Sequence, residues 1–304
     1  MKKLTETLSY NKINDKDLLG NFNKSLKDEK FKKLIEKINL PYEELSKYTS
    51  ILEDCSVEYN NCLNCKNIME CKNQVKGHAF LPEVEDGKLK FGYKMCRKQE
   101  KLINENKYLE NVYSYEIPDI IKHASMKEIF VDDKSRIPVI KWIDKFIKDY
   151  EKNKKGKGLY LSGSFGSGKT YLVSAMFNEL AKKGIKSAVI YWPEYLVNLK
   201  SSFGHDDYQE KLNKIKTVPL LLIDDIGAET TTTWSRDEIL GPILQHRMQA
   251  NLSTFFTSNL SIELLEKHLS SSKDGIEEVK ARRIIERINQ LTEKLDLIGK
   301  NYRK

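Results

Sequence analysis

Short apolar runs alternate with stretches of helical periodicity over the second half of the chain. The apolar runs are short enough to be strands buried on both faces of a sheet. They cover residues 158–162, 186–192, 218–223 and 253–257. Apolar residues recur at helical spacing between and after these runs, over 171–183, 193–202, 206–216, 234–249 and 277–290. This alternation predicts an α/β domain built on a three-layer parallel sheet.

Helical periodicity also marks two parts of the first half. Residues 13–50 fit two amphipathic helices, with apolar positions at Leu18, Leu19, Phe22 and Leu26 and then at Phe31, Leu34, Ile35 and Ile38. These faces either pack within their own domain or leave part of the stripe as a groove for a partner. Pro138 opens a further helix, because proline is favoured in a first turn.

A complete phosphate-binding loop pattern follows the strand predicted at 158–162. Its residues are Gly163, Ser164, Phe165, Gly166, Ser167, Gly168, Lys169 and Thr170. Glycine lets the backbone turn its N–H groups toward a polyphosphate, Lys169 reaches the β- and γ-phosphates, and the Thr170 hydroxyl can ligate Mg²⁺. The helix predicted at 171–183 would point its N-terminus at the same anion. The loop therefore predicts binding of a nucleoside triphosphate.

Two acidic residues, Asp224 and Asp225, end the apolar run at 218–223. The carboxyl end of a parallel strand is where α/β sheets place their chemistry. The pattern is that of a Walker B strand, in which Asp224 holds Mg²⁺, directly or through water, and Asp225 orients the attacking water. The alternative for Asp225 is a solvated carboxylate at a strand end, and Glu229 is a second candidate for its role.

Asn259 follows the last predicted strand, and a cluster of cations follows later. Asn259 either contacts the γ-phosphate or the attacking water as a sensor, or caps the helix that starts near Ser261. The stretch 277–290 carries four cations, at Lys280, Arg282, Arg283 and Arg287. Such a cluster is usually a solvated face. Its position after a sensor-like asparagine favours an arginine finger as the alternative.

All five cysteines lie in the first third of the chain. The spacing of Cys62, Cys65 and His78 is typical of zinc ligands. The fourth ligand is either Cys71, which is near in sequence, or Cys96, which the alternating strand at 89–93 could carry back to the site. A closed four-ligand site would be structural, since no position remains for a substrate water. Reduced, buried cysteines without metal are the alternative interpretation.

Length and composition indicate a soluble, helix-rich protein of two domains. The chain has 304 residues, of which 39% are hydrophobic and 32% charged, and its net charge of +8 permits contact with nucleic acid without requiring it. We find neither a signal peptide nor a membrane segment, which predicts a cytoplasmic protein with no membrane partner. The predicted division is a small, mainly helical zinc-binding domain at 1–100, a charged helix or linker at 101–130, and an ATPase domain at 131–304.

The order of these motifs resembles that of the AAA+ ATPases of the initiator and helicase-loader clade. Within it, residues 156–161, 222–229 and 245–248 resemble the DnaC/DnaI family of bacterial helicase loaders, and its DnaI branch in particular. The likeness covers essentially the whole chain, because loaders of that branch also begin with a cysteine/histidine zinc domain. The resemblance implies that the N-terminal domain binds the replicative hexameric DNA helicase. It also implies that the ATPase domain binds ATP and single-stranded DNA while the helicase is placed on DNA, in initiation or restart at the primosome.

The resemblance also implies roles for individual residues. Asp225 would activate water and Asn259 would be the first sensor. Arg287 would be the arginine finger that reaches the nucleotide of a neighbouring subunit, which requires the protein to self-associate or to form a ring on the helicase. Arg283, one turn earlier, is the alternative finger. Only seventeen residues follow Arg287, which leaves no room for a full helical lid, so Arg303 is the candidate for a second sensor.

Two competing functions fit the same motifs. One is a transposition-helper ATPase, which shares the ATPase domain but usually lacks an N-terminal zinc module. The other is an adaptor in which the nucleotide is a structural ligand. The adjacent acids Asp224 and Asp225 favour hydrolysis, expected to be slow and stimulated by a partner.

Overall fold

The computed structural model describes residues 15–204, 207–272 and 275–302. The chain divides into two compact units, residues 1–106 and 107–304. Within the described residues, no helix is both long enough and apolar enough to cross a membrane.

The N-terminal unit is mainly helical and carries one β-hairpin. Its elements are α1 (Asp15–Ser25), α2 (Glu29–Ile35), α3 (Tyr42–Leu45), α4 (Thr49–Asn64), β1 (His78–Glu85), β2 (Lys88–Met95) and α5 (Arg97–Asn106). The apolar stripe predicted at 13–50 is largely the core of this unit. Phe22 and Phe31 are buried edge to face, with ring centroids 5.5 Å apart, and pack with Leu52 of α4 and Phe91 of β2. Internal packing therefore accounts for most of the stripe.

The C-terminal unit is built on a six-stranded, entirely parallel sheet. The strands are β3 (Val112–Tyr115), β4 (Gly158–Gly163), β5 (Ser187–Tyr191), β6 (Leu220–Asp224), β7 (Ser253–Ser258) and β10 (Thr292–Leu297). Their spatial order is β10-β4-β7-β6-β5-β3. The predicted parallel sheet is confirmed.

Helices cover both faces of this sheet, as a three-layer architecture requires. On one face pack α7 (Ile137–Asn153) and α8 (Lys169–Ala181). The other face carries α9 (Trp192–Ser201), α10 (Asp207–Thr217), α11 (Gly241–Gln249), α12 (Ile262–Ser270) and α13 (Glu278–Leu291). A one-turn helix, α6 (Asp119–Lys122), and a short antiparallel pair, β8 (Ser271–Ser272) with β9 (Gly275–Ile276), complete the unit. Successive residues of β4 alternate between the two cores, with Leu159 and Leu161 on the α7–α8 side and Tyr160 on the other.

Both edges of the sheet differ from the sequence prediction. Residues 101–130 do not form a separate linker, because α5 extends to Asn106 in the first unit and β3 pairs with β5 in the second. Edge strand β10 was not predicted at all, since its polar residues interrupt the apolar pattern. Trp142 Nε1 of α7 donates to Glu293 Oε2 of β10 at 2.8 Å, so a charged residue of this edge strand joins it to the helix above.

The helix predicted at 234–249 has two parts. Residues Trp234–Leu240 are π-helical, and α11 continues from Gly241. Pro242, in the first turn of α11, has no N–H to donate, so the regular α-helical ladder cannot run unbroken through this point.

Arg247 of α11 is a structural residue that the sequence pattern did not identify. Its side chain is completely buried, and burial without an acidic partner lowers its pKa to about 9. The guanidinium joins the end of α10 to the starts of β6 and β7, since it donates to Thr254 Oγ1 and to the carbonyl oxygens of Ile215, Lys216, Val218, Pro219 and Ser253. One side chain thus satisfies backbone acceptors from three elements.

We expect Arg247→Met to destabilise the C-terminal unit by at least about 3 kcal/mol, because several buried carbonyls lose their donor. Urea unfolding measures the effect. The matched control is Arg282→Met on α13, whose side chain is 67% exposed, and its change should stay within about 0.5 kcal/mol. Equal stability of the two variants would contradict the structural role of Arg247.

Candidate nucleotide site

The phosphate-binding loop connects the end of β4 to the start of α8. Gly166 and Gly168 have φ values of 71° and 89°, which only glycine adopts without strain. A Cβ atom at Gly163 would stand 2.1 Å from the carbonyl oxygen of Leu297 in β10, so close approach of the neighbouring strand requires glycine there. Gly168 is the N-cap of α8, and the free N–H groups of that helix therefore begin at the loop.

Lys169 is buried beneath the loop and linked to the predicted sensor. Its Nζ donates to the carbonyl oxygens of Gly163 and Ser164 at 3.0 and 2.9 Å, and to Asn259 Oδ1 at 2.9 Å. Asn259 in turn donates through Nδ2 to Asp225 Oδ1 at 2.9 Å. The helix-capping alternative for Asn259 does not hold, because Ser261 is the N-cap of α12 and accepts from Leu264.

Asp224 lies at the end of β6 and is only 7% exposed. Its Oδ1 accepts from Thr170 Oγ1 at 2.6 Å and from Thr257 Oγ1 at 2.5 Å. Burial raises the pKa of Asp224, and the two hydroxyl donors oppose that rise. A carboxylate and a hydroxyl in contact beside a phosphate loop are the hard oxygen donors that Mg²⁺ prefers, so Thr170 and Asp224 fit the predicted ion.

Thr257 contacts the site but belongs to none of the sequence motifs. The parallel register pairs Ile223 of β6 with Phe256 of β7, which brings Thr257 beside Asp224. Its hydroxyl oxygen also accepts from the backbone N–H of Asp225 at 2.9 Å. The sequence does hold a signal for this contact: Thr257 lies one residue before the end of its strand, and the ends of parallel strands meet at the same edge of the sheet as the Walker B acid.

Asp225 and Glu229 occupy different environments after β6. Asp225 has a φ of 58°, and Asn259 contacts its carboxylate as described above. Glu229 Oε2 accepts from the backbone N–H of Gly227 at 2.7 Å, and its Oε1 lies 3.7 Å from His268 Nε2 of α12. This carboxylate raises the pKa of His268. The structure thus joins Asp225 to the Lys169–Asn259 chain, whereas Glu229 contacts its own loop and His268 of α12.

The candidate arginine fingers differ in exposure. Arg287 is partly buried and donates through Nη1 to the carbonyl oxygen of Gly241 at 3.0 Å. Arg283 is exposed on α13. Arg303, the candidate second sensor, lies outside the described residues.

Comparison with known proteins identifies the family. The family described as IstB-like ATP binding protein matches residues 146–304. The chain is 40% identical to the replicative helicase loader DnaI of Bacillus subtilis (strain 168) over 244 residues. This alignment covers 80% of this chain and 78% of that protein. This chain belongs to the DnaI family of replicative helicase loaders.

Other comparisons support the same assignment for this DnaI-family chain. A crystal structure of DnaI matches with 43% identity and a TM-score of 0.56, over 65% of this chain and all of that one. The replicative helicase loader DnaC of Escherichia coli (strain K12) is 30% identical over 110 residues, 36% of this chain and 44% of that protein. The six-stranded unit therefore has an AAA+-like fold with the nucleotide loop of an ATP-binding family.

The predicted zinc ligands of this DnaI-family chain lie around the β-hairpin of the N-terminal unit. Register pairs His78 with Met95, and the N–H of Cys96 donates to the carbonyl of Gly77 at 2.9 Å, so β2 does carry Cys96 back toward His78. In residues 15–204, 207–272 and 275–302, however, no three His, Cys, Asp or Glu side chains are arranged to hold a metal ion. His78 Nδ1 instead lies 3.3 Å from the carbonyl oxygen of Lys76.

The cysteine thiols have individual partners. Asn73 donates to Cys62 Sγ at 3.3 Å, and backbone N–H groups donate to Cys71 Sγ and Cys96 Sγ, each at 3.4 Å. The pKa of Cys62 is raised by burial and, to a smaller extent, by the thiols of Cys96, Cys71 and Cys65. Cys55 is separate from this group, since it is fully buried in α4 and burial raises its pKa to about 12.

Proposed function

We propose that this chain is an ATP-dependent loader that binds the replicative hexameric helicase and places it on single-stranded DNA. The observation that carries the proposal is the extent of the match to Bacillus DnaI. Its 244 residues exceed the length of the unit at 107–304, so the similarity continues into the N-terminal unit. A transposition helper that shares only the ATPase domain would not account for this.

The geometry supports a division of labour in ATP hydrolysis. Lys169 and the N-terminus of α8 would bind the phosphates, and Thr170 and Asp224 would hold Mg²⁺, which when bound neutralises charge on the phosphate oxygens. Asp225 would orient the attacking water, and Asn259 would position both Lys169 and Asp225, since it hydrogen-bonds each of them. A contact between Asn259 and the γ-phosphate would thus change the surroundings of the Asp225 carboxylate directly.

Asp225→Asn should slow ATP hydrolysis about a hundredfold while leaving ATP affinity near that of the parent, because the phosphate and Mg²⁺ contacts remain. Lys169→Ala should lose binding itself. Glu229→Gln is the matched control, since Glu229 bonds within its own loop. Steady-state hydrolysis with helicase present, together with calorimetric ATP affinity, measures both effects. Loss of turnover in Glu229→Gln alone would move the base to Glu229.

The arginine finger is proposed to be Arg287, acting on the nucleotide of a neighbouring subunit in a self-assembly or a ring on the helicase. In the isolated chain its guanidinium holds the carbonyl of Gly241. Reaching a neighbour requires this bond to be exchanged for contacts to phosphate. That exchange would link assembly to the π-helical turn ending at Leu240.

Arg287→Ala should bind ATP normally but lose stimulated hydrolysis, by about 10³-fold if its effect matches that of fingers in GTPases. Mixing it with Lys169→Ala, which still offers Arg287 but cannot use its own site, should restore part of the activity. Arg283→Ala is the comparison variant. If mixing restores no activity and Arg283→Ala shows the loss of stimulated hydrolysis instead, the finger is one turn earlier. If neither substitution changes hydrolysis, the cluster is a solvated surface.

Helicase binding is proposed to lie in the N-terminal unit, given as residues 1–100 from the sequence and bounded at residue 106 in the structure. This unit has its own core. It also exposes large apolar side chains, among them Leu63, Met69 and Tyr93. The net charge of +8 is compatible with single-stranded DNA as a second partner, and a cytoplasmic location follows from both partners.

The full-length chain should co-purify with its replicative helicase, and residues 1–106 should retain the helicase without the ATPase unit. Pull-down with and without ATP, using the full chain and each unit, measures this. The paired control is residues 107–304, which should bind ATP but not helicase. If only 107–304 retains helicase, the division of labour is wrong. Helicase binding without any hydrolysis under any condition would favour the nucleotide-dependent adaptor.

Zinc is proposed as a structural ion held by Cys62, Cys65 and His78, with Cys71 or Cys96 as fourth ligand. Support comes from the donor set, which suits zinc, and from β2, which carries Cys96 to the side of Gly77. Bound zinc would supply folding free energy and no chemistry.

Metal binding contributes on the order of 10 kcal/mol to folding of such small sites, so a chelator should lower the melting temperature of the N-terminal unit sharply. Cys62→Ser should melt at the temperature of the parent protein treated with chelator, and the control Cys55→Ser should keep its metal. Substituting Cys71 and Cys96 in turn identifies the fourth ligand by metal content. Identical melting curves with and without chelator would remove zinc from the proposal.

A further inference from the structure

Arg136 lies beside the phosphate loop although no motif includes it. It immediately precedes α7, and its side chain is only 3% exposed. Its Nη2 stands 3.1 Å from the position that a Cβ of Gly168 would occupy. The guanidinium is therefore in contact with the residue that caps α8, next to Lys169.

The protein leaves this buried cation largely without partners. A guanidinium carries five N–H donors, and here Nη1 donates to the carbonyl oxygen of Phe130 at 3.0 Å while buried Nε has no partner. Among the described residues no carboxylate forms an ion pair with Arg136. The nearby carboxylate of Asp133 accepts instead from Ser135 and from the backbone of Lys300.

The phosphate-loop side of Arg136 is positive. The N-terminus of α8 carries partial positive charge, and Gly168, which the guanidinium contacts, is the N-cap of that helix. Burying an unpaired charge costs free energy, and placing it beside like charges costs more. A negative group beside the remaining donors would offset that cost, and the negative group that a loop of this kind receives is a phosphate.

A C-terminal segment covers the same guanidinium. The ring centroid of Tyr302 lies 4.6 Å from Arg136 Cζ, and the rings of Tyr302 and Phe130 are stacked with centroids 5.8 Å apart. The backbone N–H of Tyr302 donates to the carbonyl of Gly166 at 2.8 Å, which fixes this segment to the loop. Tyr302 thus excludes water from one side of Arg136 and leaves its remaining donors for the loop side.

We propose that Arg136 is a phosphate-contacting residue of the nucleotide site, donating from the same chain to a phosphate oxygen of the bound nucleotide. This rests on the proposed binding of ATP and adds a cation that lies outside the phosphate loop. It carries a distinctive consequence. Without nucleotide Arg136 contributes nothing to stability or opposes it, whereas with nucleotide it contributes to affinity.

The test compares full-length parent, Arg136→Met, Arg136→Lys and the exposed control Arg282→Met. Calorimetry measures ATP and ADP affinity with Mg²⁺, and thermal melting is recorded with and without nucleotide. Arg136→Met should weaken both nucleotides about tenfold or more, as loss of a charge-assisted hydrogen bond implies, and should melt at or above the parent temperature without nucleotide. Arg136→Lys should be intermediate and Arg282→Met unchanged.

Three results would overturn the inference. If Arg136→Met melts lower without nucleotide and keeps parental affinity, Arg136 is structural. If ADP weakens while competition by inorganic tripolyphosphate is unchanged, the guanidinium faces the base or ribose rather than a phosphate. If the parent binds no nucleotide, the proposed function fails with it. If Lys169→Ala loses nucleotide binding and Arg136→Met does not, the proposed ATP binding stands and only the inference about Arg136 fails.

Discussion

The burial of one carboxylate, that of Asp224, organises the nucleotide site. A nearly inaccessible acid at a strand end is tolerable only where donors or a cation compensate it. Two hydroxyls do so here, Thr170 from the first turn of α8 and Thr257 from β7. Each comes from a different element, so the position of the acid depends on β6 lying between β5 and β7 in this register. Burial raises the pKa of Asp224 despite the two hydroxyl donors, and a divalent cation bound there would favour the ionised carboxylate.

From this acid a chain of hydrogen bonds extends across the edge of the sheet. Asp225 follows Asp224 and is tied to Thr257 through its backbone and to Asn259 through its carboxylate. Asn259 then reaches Lys169 beneath the phosphate loop. The groups expected to bind phosphate and to activate water are therefore not independent. A change at either end alters the environment of the other, because Asn259 has only one amide to divide between them.

The arginines of the C-terminal unit differ in how far the protein itself satisfies them. Arg247 is buried without an acidic partner, but backbone carbonyls and the Thr254 hydroxyl satisfy it, and it stabilises the sheet. Arg136 is buried as deeply and is satisfied poorly. On this contrast Arg247 completes the fold, whereas Arg136 is the cation that we propose contacts the nucleotide. Arg287 falls between them, since it is partly exposed and holds a single carbonyl.

By itself the sequence determined the parallel sheet, the phosphate loop and the two Walker acids, because each rests on local spacing. Glycines at fixed positions, an apolar run and a terminal acid are all visible without tertiary contacts. The edge strands β3 and β10 were missed because neither forms a continuous apolar run: β3 has only four residues, all partly buried, and polar residues interrupt β10.

Only the tertiary structure decided which side chains meet. It placed Thr257 on Asp224 through strand register, turned Asn259 toward Lys169 rather than toward the cap of α12, and engaged Glu229 within its own loop. It also brought Arg136 to Gly168 from thirty-two positions away in sequence. Such contacts depend on how strands and helices are arranged in three dimensions, and no spacing along the chain encodes them.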